Sequence, residues 1–131
     1  MTTYLLDTNV CVEFLRQQNA NVARRITASK PGDFRLCSIV LAELYYGAHM
    51  SENPAANVAL LGRFLLQIVS LPIDDQVGVV AGQLRADLDR AGTPIGPNDR
   101  LIAAVGLAHG LTVVTHNLGE FSRVPSLIVE S

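Results

Sequence analysis

The chain opens with the stretch YLLDTN at residues 4–9, in which three apolar residues precede an aspartate and two small polar residues. The apolar run is typical of a buried strand that ends at Asp7. Thr8 or Asn9 is predicted to cap a helix that runs to about Gln17. The chain therefore begins with a strand that leads into a helix through an acidic turn.

The same alternation of strand and helix continues to the end of the chain. Further strands are predicted at 34–37, 69–73, 111–115 and 127–129, and helices at 21–29, 39–50, 54–68, 75–91 and 97–108. Ser38 is expected to cap the helix that follows it. Strands that alternate with helices favour an α/β fold, with a mostly parallel sheet between helical layers. Sites in such sheets form beyond the carboxyl ends of the strands, where Asp7 lies.

Composition and charge limit the classes of function. A length of 131 residues and a hydrophobic fraction of 49% predict one domain, residues 1–131, with a packed core. We expect a cytoplasmic protein with no membrane association, because neither a signal peptide nor a membrane-spanning apolar run is recognisable. The net charge of −2 argues against a broad basic surface for nucleic acid, so any such contact must be local. Cys11 and Cys37 match neither a disulfide framework nor a zinc motif.

Four acidic residues lie near predicted strand ends or helix starts: Asp7, Glu43, Asp99 and Glu120. Glu43 is the most informative, because a carboxylate among apolar helical neighbours is costly unless it is paired or holds a metal. Asp7 also fits an N-cap, Asp99 a first-turn acid and Glu120 a solvated loop acid. Carboxylates that converge need a cation, and hard oxygen ligands suit Mg²⁺ or Mn²⁺.

Several other chemistries lack their residues. Lys30 is the single lysine and precedes Pro31, so the chain has no GxxxxGK[ST] phosphate loop. Receiver domains and haloacid-dehalogenase-like phosphatases need a lysine late in the chain, and none follows Lys30. The chain also has no GxGxxG after its first strand and no GxSxG motif. Metal-assisted hydrolysis without a covalent intermediate is the chemistry that remains.

Four blocks of sequence resemble those of PIN-domain ribonucleases, and in particular the VapC toxins of bacterial toxin–antitoxin systems. The blocks are LLDTN at 5–9, AELYYGA at 42–48, GTPIGPNDRLIAA at 92–104 and VTHNLGEF at 114–121. The resemblance covers essentially the whole chain, in order. It implies a three-layer α/β/α domain, a Mg²⁺-dependent endoribonuclease and a cognate VapB antitoxin that masks the site. It also implies a homodimer within a toxin–antitoxin hetero-oligomer.

The resemblance also assigns catalytic and metal-binding residues. Asp7, Glu43 and Asp99 match the acidic triad of the family, which is expected to hold the metal. The fourth place is open between Asn117, where many relatives have an acid, and the nearby Glu120. Both are therefore candidate metal ligands, with Glu120 slightly favoured by its charge.

Two further groups of residues have predicted supporting roles. Three polar residues beside the acids are expected to orient the ligands: Thr8, Asn9 and Thr115. Three arginines are candidates for contacts to the RNA backbone, although solvated helix faces are their ordinary role: Arg16, Arg24 and Arg25. The implied substrate is a folded RNA, with (initiator) transfer RNA the leading candidate. A non-catalytic PIN fold that serves as an RNA-binding or protein-interaction scaffold is the alternative.

Overall fold

Five short parallel strands form the sheet at the centre of the fold. The computed structural model describes residues 2–16 and 31–131. The strands are β1 (Tyr4–Leu6), β2 (Phe34–Cys37), β3 (Val69–Leu71), β4 (Thr112–Val114) and β5 (Val129–Glu130). They lie in the order β3-β2-β1-β4-β5, and every neighbouring pair is parallel. The predicted α/β fold with a mostly parallel sheet is confirmed.

Helices connect the strands and flank the sheet. They are α1 (Thr8–Arg16), α2 (Ser38–His49), α3 (Pro54–Leu65), α4 (Asp75–Arg90), α5 (Pro97–His109) and α6 (Leu118–Phe121), and a 3₁₀ turn spans Pro31–Asp33. The helix predicted at 21–29 lies outside the described residues. In the part of the chain that is described, no helix combines the length and the apolar character needed to cross a membrane.

Most helix ends follow the sequence signals. Pro54 and Pro97 occupy the first turns of α3 and α5, where a missing N–H costs nothing. Asp74 caps α4, because its carboxylate accepts the N–H of Val77 at 3.1 Å. Gly110 ends α5 with a φ of 65°, a left-handed conformation that glycine adopts without strain.

The predicted cap at Ser38 is wrong. Helix α2 already begins at Ser38, its N-cap is Cys37, and the Ser38 hydroxyl donates to the carbonyl oxygen of Leu71 at 3.4 Å. The hydroxyl therefore ties α2 to β3 instead of satisfying the helix's own amides. Several boundaries also differ from the prediction, and the largest differences are that α3 ends at Leu65, β3 ends at Leu71 and β5 begins at Val129.

The order of the strands creates a crevice beside β1. The chain passes from β1 outward to β2 and β3, and then returns to place β4 on the opposite side of β1. Such a reversal leaves a crevice at the carboxyl ends of the two central strands. Leu6 pairs with Val114, and the Asp7 N–H donates to the Val114 carbonyl at 3.1 Å. Asp7 and Thr115 therefore lie next to each other at this crevice.

Helix α5 packs closely against the sheet. Its central residues, Ile102 to Gly106, are all buried. A Cβ atom at Gly106 would lie 3.0 Å from side-chain atoms of Leu127 and Val113, so glycine permits the close approach of α5 to β4. This packing fixes the start of α5, which carries Asp99, near the crevice.

Candidate active site

Asp7 lies at the carboxyl end of β1 and is 5% exposed. One carboxylate oxygen accepts the N–H of Val10 at 3.0 Å, so Asp7 caps α1, and the predictions of Thr8 or Asn9 as the cap are wrong. The other oxygen accepts a short hydrogen bond from the Thr115 hydroxyl. Burial raises the pKa of the Asp7 carboxyl, and these two hydrogen bonds oppose the shift. Asp7 is thus both a helix cap and a held carboxylate at the crevice.

Asp99 is the third residue of α5, after the N-cap Gly96. It is half-buried, and the Asn117 side-chain amide donates to its Oδ2 at 2.9 Å. Burial raises the pKa of Asp99 to about 7, with further contributions from a hydrogen bond to Glu120 and from the charges of Glu120 and Asp7. Asp99 therefore lies within the electrostatic field of two other carboxylates.

Asn117 and Glu120, the two candidates for the fourth ligand, both reach Asp99. The Asn117 amide donates to Asp99 at 2.9 Å and to Oε2 of Glu120 at 3.2 Å. The hydrogen bond with Asp99 lowers the pKa of Glu120, and a backbone hydrogen bond from Gly96 acts in the same direction. The two candidates are thus parts of one arrangement around Asp99.

Thr115 joins the two halves of this arrangement. Its hydroxyl donates to Asp7 and accepts the backbone N–H of Asn117 at 2.9 Å. A continuous chain of hydrogen bonds therefore links five residues, which we call the acidic network: Asp7, Thr115, Asn117, Asp99 and Glu120. The orienting role predicted for Thr115 agrees with these contacts.

Glu43 does not join the acidic network. It is half-buried on α2 and lines a cavity of about 150 Å³ between α1, α2 and α3, which we call the α1–α3 groove. The groove is otherwise mostly apolar and is lined by Val12, Leu15, Arg16, Leu44, Gly47, Ala48, Ser51, Asn57, Leu60 and Leu61. Within residues 2–16 and 31–131, no three Asp, Glu, His or Cys side chains form a group that could hold a metal ion. The predicted convergence of Glu43 with Asp7 and Asp99 stays a prediction.

The remaining predicted residues differ in how they relate to the network. The Thr8 hydroxyl is buried beside Asp7 and has no hydrogen-bond partner among the described residues, whereas Asn9 is exposed. Arg16 is exposed at the end of α1 and lines the α1–α3 groove. Arg24 and Arg25 lie outside the described residues.

Sequence reasoning missed two contacts at the edge of the network. Nε2 of His116 lies within hydrogen-bond distance, 2.8 Å, of Oε2 of Glu13 in α1. The Arg123 guanidinium donates to the Pro94 carbonyl at 2.8 Å. Both contacts join residues far apart in the chain, so no local pattern signals them. Helix α6 was also missed, although the stretch from Asn117 to Phe121 offers an N-cap residue and a buried aromatic anchor.

The two cysteines are free and buried. Burial raises the pKa of the Cys11 thiol and of the Cys37 thiol, which keeps both protonated at neutral pH. They belong to the core and supply neither a disulfide nor a reactive thiolate.

Comparison with known proteins gives a consistent family assignment. Residues 4–127 match the PIN domain. The tRNA(fMet)-specific endonuclease VapC of Salmonella typhimurium is 39% identical, over 99% of this chain and 98% of that protein. The tRNA(fMet)-specific endonuclease VapC of Shigella flexneri is 38% identical over the same shares. The crystal structure of DNA-bound VapBC from Salmonella typhimurium superposes with a TM-score of 0.91 at 38% identity, covering 99% of this chain and 98% of that one.

The sequence blocks, the parallel sheet with its crevice and these comparisons agree over nearly the full length of the chain. The chain belongs to the PIN-domain family and, within it, to the VapC ribonucleases.

Proposed function

We propose that this chain is the toxin of a toxin–antitoxin pair and acts as a Mg²⁺-dependent endoribonuclease on a structured RNA. The observation that carries the proposal is the acidic network, which joins Asp7, Asp99 and Glu120 at the crevice beside β1. Carboxylates gathered at the switch point of a parallel sheet suit a hydrolase that works on phosphate esters through a metal ion.

The donor chemistry of the network fits a hard divalent cation. Burial and the nearby charges of Glu120 and Asp7 raise the pKa of Asp99, as expected where carboxylates gather without a cation. The Thr8 hydroxyl, buried beside Asp7, has no partner in the described part of the chain, and a water of a hydrated ion would satisfy it. Mg²⁺ retains several waters and binds few protein carboxylates, which agrees with a network that offers three carboxylates.

Asp7 and Asp99 are the residues that would hold Mg²⁺ or Mn²⁺, with Glu120 or Asn117 in the fourth place and Glu43 contributing from α2. When bound, the ion would supply a water of lowered pKa for attack on phosphorus. The chain's own residues fix the carboxylates. The Val10 N–H and the Thr115 hydroxyl hold one oxygen of Asp7 each, and the Asn117 amide holds Asp99 and Glu120 together. These hydrogen bonds hold the carboxylates at the crevice, and a bound ion would draw them closer together, because no three of the described Asp, Glu, His or Cys side chains yet form a metal-binding group.

The proposed substrate is a transfer RNA, and more specifically the initiator transfer RNA. The Salmonella and Shigella relatives are named as tRNA(fMet)-specific endonucleases. A net charge of −2 gives weak general attraction to polyanions, so recognition must depend on shape and on a few local cations. Arg16, Arg24 and Arg25 are the proposed backbone contacts. Because transfer RNA is a cytoplasmic molecule, the cytoplasm is the proposed location of the reaction.

Incubation of the purified chain with initiator and elongator transfer RNAs, in Mg²⁺ or in a chelator, tests the function. We expect one dominant cut in the initiator RNA that appears in Mg²⁺ or Mn²⁺ and is lost in the chelator. Cuts confined to messenger and ribosomal RNA in a total-RNA digest would contradict the substrate and leave the ribonuclease standing. No cleavage of any RNA with either metal would favour the scaffold alternative.

A VapB-type antitoxin is the proposed partner, and the α1–α3 groove is the surface that it would cover. The structure of the Salmonella relative is of a VapBC complex. The groove is mostly apolar, with Glu43 as its acidic group and Arg16 as its basic group, and Leu60, which is 43% exposed, lies on its wall. An amphipathic helix that presents an apolar face and a charged residue fits such a surface. Because Glu43 also belongs to the predicted catalytic set, a partner in the groove would mask the site.

Substitution of the groove wall tests this assignment. Leu60→Asp introduces a charge into an apolar interface, so we expect antitoxin affinity to fall about 10- to 100-fold while cleavage of RNA continues. Leu66→Asp is the matched control, because Leu66 is 87% exposed and does not line the groove. Equal antitoxin binding by both variants would remove the groove from the interface.

A homodimer within the toxin–antitoxin complex is also part of the proposal. Tyr46 and Met50 of the α2 region are 69% and 70% exposed, which leaves apolar surface available to a second copy. Light scattering on the purified chain should give twice the monomer mass. A monomer mass at micromolar concentration would contradict a dimer in the absence of antitoxin.

A further inference from the structure

The segment between α4 and α5, residues 91–96, contacts two residues at the end of α6, Glu120 and Arg123. Its start is fixed by the Thr93 N–H, which donates to the Leu88 carbonyl at 2.9 Å, and Ile95 is buried. The Arg123 guanidinium then donates to the Pro94 carbonyl at 2.8 Å. Two residues later Gly96 lies beside the Glu120 carboxylate: a Cβ atom at Gly96 would lie 3.8 Å from Oε2 of Glu120, and a hydrogen bond from the Gly96 backbone lowers the pKa of Glu120. Arg123 and Glu120 therefore contact the same short segment at two adjacent points.

This segment determines where Asp99 lies. Gly96 is the N-cap of α5, and its carbonyl accepts the N–H of Arg100 at 2.9 Å, so the first turn of the helix is built directly on it. Asp99 is within that turn. On the other side, the Arg123 N–H donates to the Glu120 carbonyl at 3.0 Å, so Arg123 and Glu120 move as one unit at the end of α6. A shift of Pro94 relative to Arg123 would therefore change the separation of Asp99 and Glu120.

We propose that Arg123 is a positioning residue, whose hydrogen bond to Pro94 sets the distance between Asp99 and Glu120. The inference rests on the proposed function in so far as those two carboxylates act on RNA. Arg123 itself is exposed, and its charge helps to keep Glu120 ionised. The rival role for an exposed arginine beside a nuclease site is direct contact with an RNA phosphate. The two roles predict different changes in kinetic constants and in amide exchange.

Arg123→Met removes the donor and keeps the aliphatic stem. We expect kcat to fall about 10- to 100-fold, the range found when a residue that orients metal ligands is lost. KM for the RNA should stay within about twofold, because no contact to substrate is removed. Amide exchange at Gly96, measured by NMR on the free protein, should become faster. Arg123→Lys should restore most of kcat, since lysine can also donate to a carbonyl oxygen.

Arg90→Met is the matched control. Arg90 is an exposed arginine of α4 whose ion pair with Asp87 is far from ideal at 3.6 Å, so its loss removes one charge without touching the acidic network. Kinetic constants and Gly96 exchange should equal those of the wild type. An equal loss of kcat in both arginine variants would attribute the effect to net charge and overturn the proposal.

Pro94→Gly supplies a second variant, which loosens the segment from the other side of the contact. It should lower kcat without raising KM, and combination with Arg123→Met should add little, because both changes break the same link. Additive losses, a raised KM with unchanged Gly96 exchange, or an unaffected kcat would overturn the positioning role. If the wild type cleaves no RNA, the proposed function fails. Gly96 exchange and calorimetric Mn²⁺ affinity, expected to be weaker in Arg123→Met, still test the inference by themselves.

Discussion

Asp7 and Glu43 are both acids predicted to hold the metal, yet their surroundings differ. Asp7 is 5% exposed, and each of its oxygens accepts a hydrogen bond. Glu43 is half-buried on the wall of a mostly apolar groove and belongs to no such chain of hydrogen bonds within residues 2–16 and 31–131. Hydrogen bonds hold the side chains of the acidic network in place before any ligand arrives. We expect the position of the Glu43 side chain to depend on the molecule that occupies the groove. We therefore expect the acidic network to carry out the chemistry and the α1–α3 groove to receive a regulating partner.

The strongest test of the network side is Asp99→Asn. Asparagine keeps an acceptor for the Asn117 amide and removes one charge from the carboxylate cluster. We expect cleavage to fall by about a thousandfold or more, as when a group at a reacting centre is lost. Without metal the variant should melt no lower than the wild type, because the repulsion from Glu120 and Asp7 is relieved. Gel assays and calorimetry measure both.

Asp87→Asn is the control for this substitution, since Asp87 is an exposed acid of α4 outside the network. It should retain full activity. Retained cleavage by Asp99→Asn, or Mg²⁺ stabilisation as strong as in the wild type, would remove Asp99 from the metal site.

The fourth ligand gives the next largest effect. Glu120→Gln keeps the hydrogen-bonding shape and loses the charge, so we expect a decrease of about 100-fold if Glu120 reaches the metal. Asn117→Ala should cost about tenfold, because it removes only the amide that bridges Asp99 and Glu120. The opposite ranking in kcat would mean that Asn117 fills the position and Glu120 supports it.

Glu43→Gln tests the groove side directly. Because Glu43 lies outside the hydrogen-bonded network, we expect about a tenfold loss of cleavage, less than for Glu120→Gln, together with weaker antitoxin binding. Glu52→Gln is a matched control at an exposed acid of the α2–α3 loop. If Glu43→Gln lost as much cleavage activity as Asp99→Asn, Glu43 would be as important for catalysis as the acidic network, and the proposed difference between the two regions would be wrong.

The smallest effect concerns the backbone that follows the network. Ser126 has a φ of 68°, in the left-handed region that disfavours side chains with a Cβ. Ser126→Gly should raise stability by about 1 kcal/mol, or roughly 4 °C in Tm, with no change in cleavage. Ser122→Gly, at a φ of −66°, should lower stability instead. Equal Tm values for the two variants would show that the backbone at Ser126 is not strained.

The sequence predicted the parts of the site that depend on strand order. Asp7 after the first strand and Thr115 after a later one could be placed at one crevice, because parallel strands align their carboxyl ends. Asp99 could be placed in a helical first turn, because Pro97 marks the start of α5. These are local signals combined with one rule of topology.

Other features could not be predicted, because they depend on distant contacts. The pairing of Arg123 with Pro94 spans 29 residues, and that of His116 with Glu13 spans 103. Neither has a periodic or spacing signature. The position of Glu43 in the α1–α3 groove depends on how three helices pack, which a helical pattern alone does not determine.

The acidic network is the proposed metal site of the nuclease. Crystals of the chain soaked in Mn²⁺ and measured at the manganese absorption edge test it most directly. We expect an anomalous peak between the carboxylates of Asp7 and Asp99, and no such peak in crystals of the Asp99→Asn variant soaked in the same way. A peak bound only by residues outside the network, or one that persists unchanged in the variant, would contradict it.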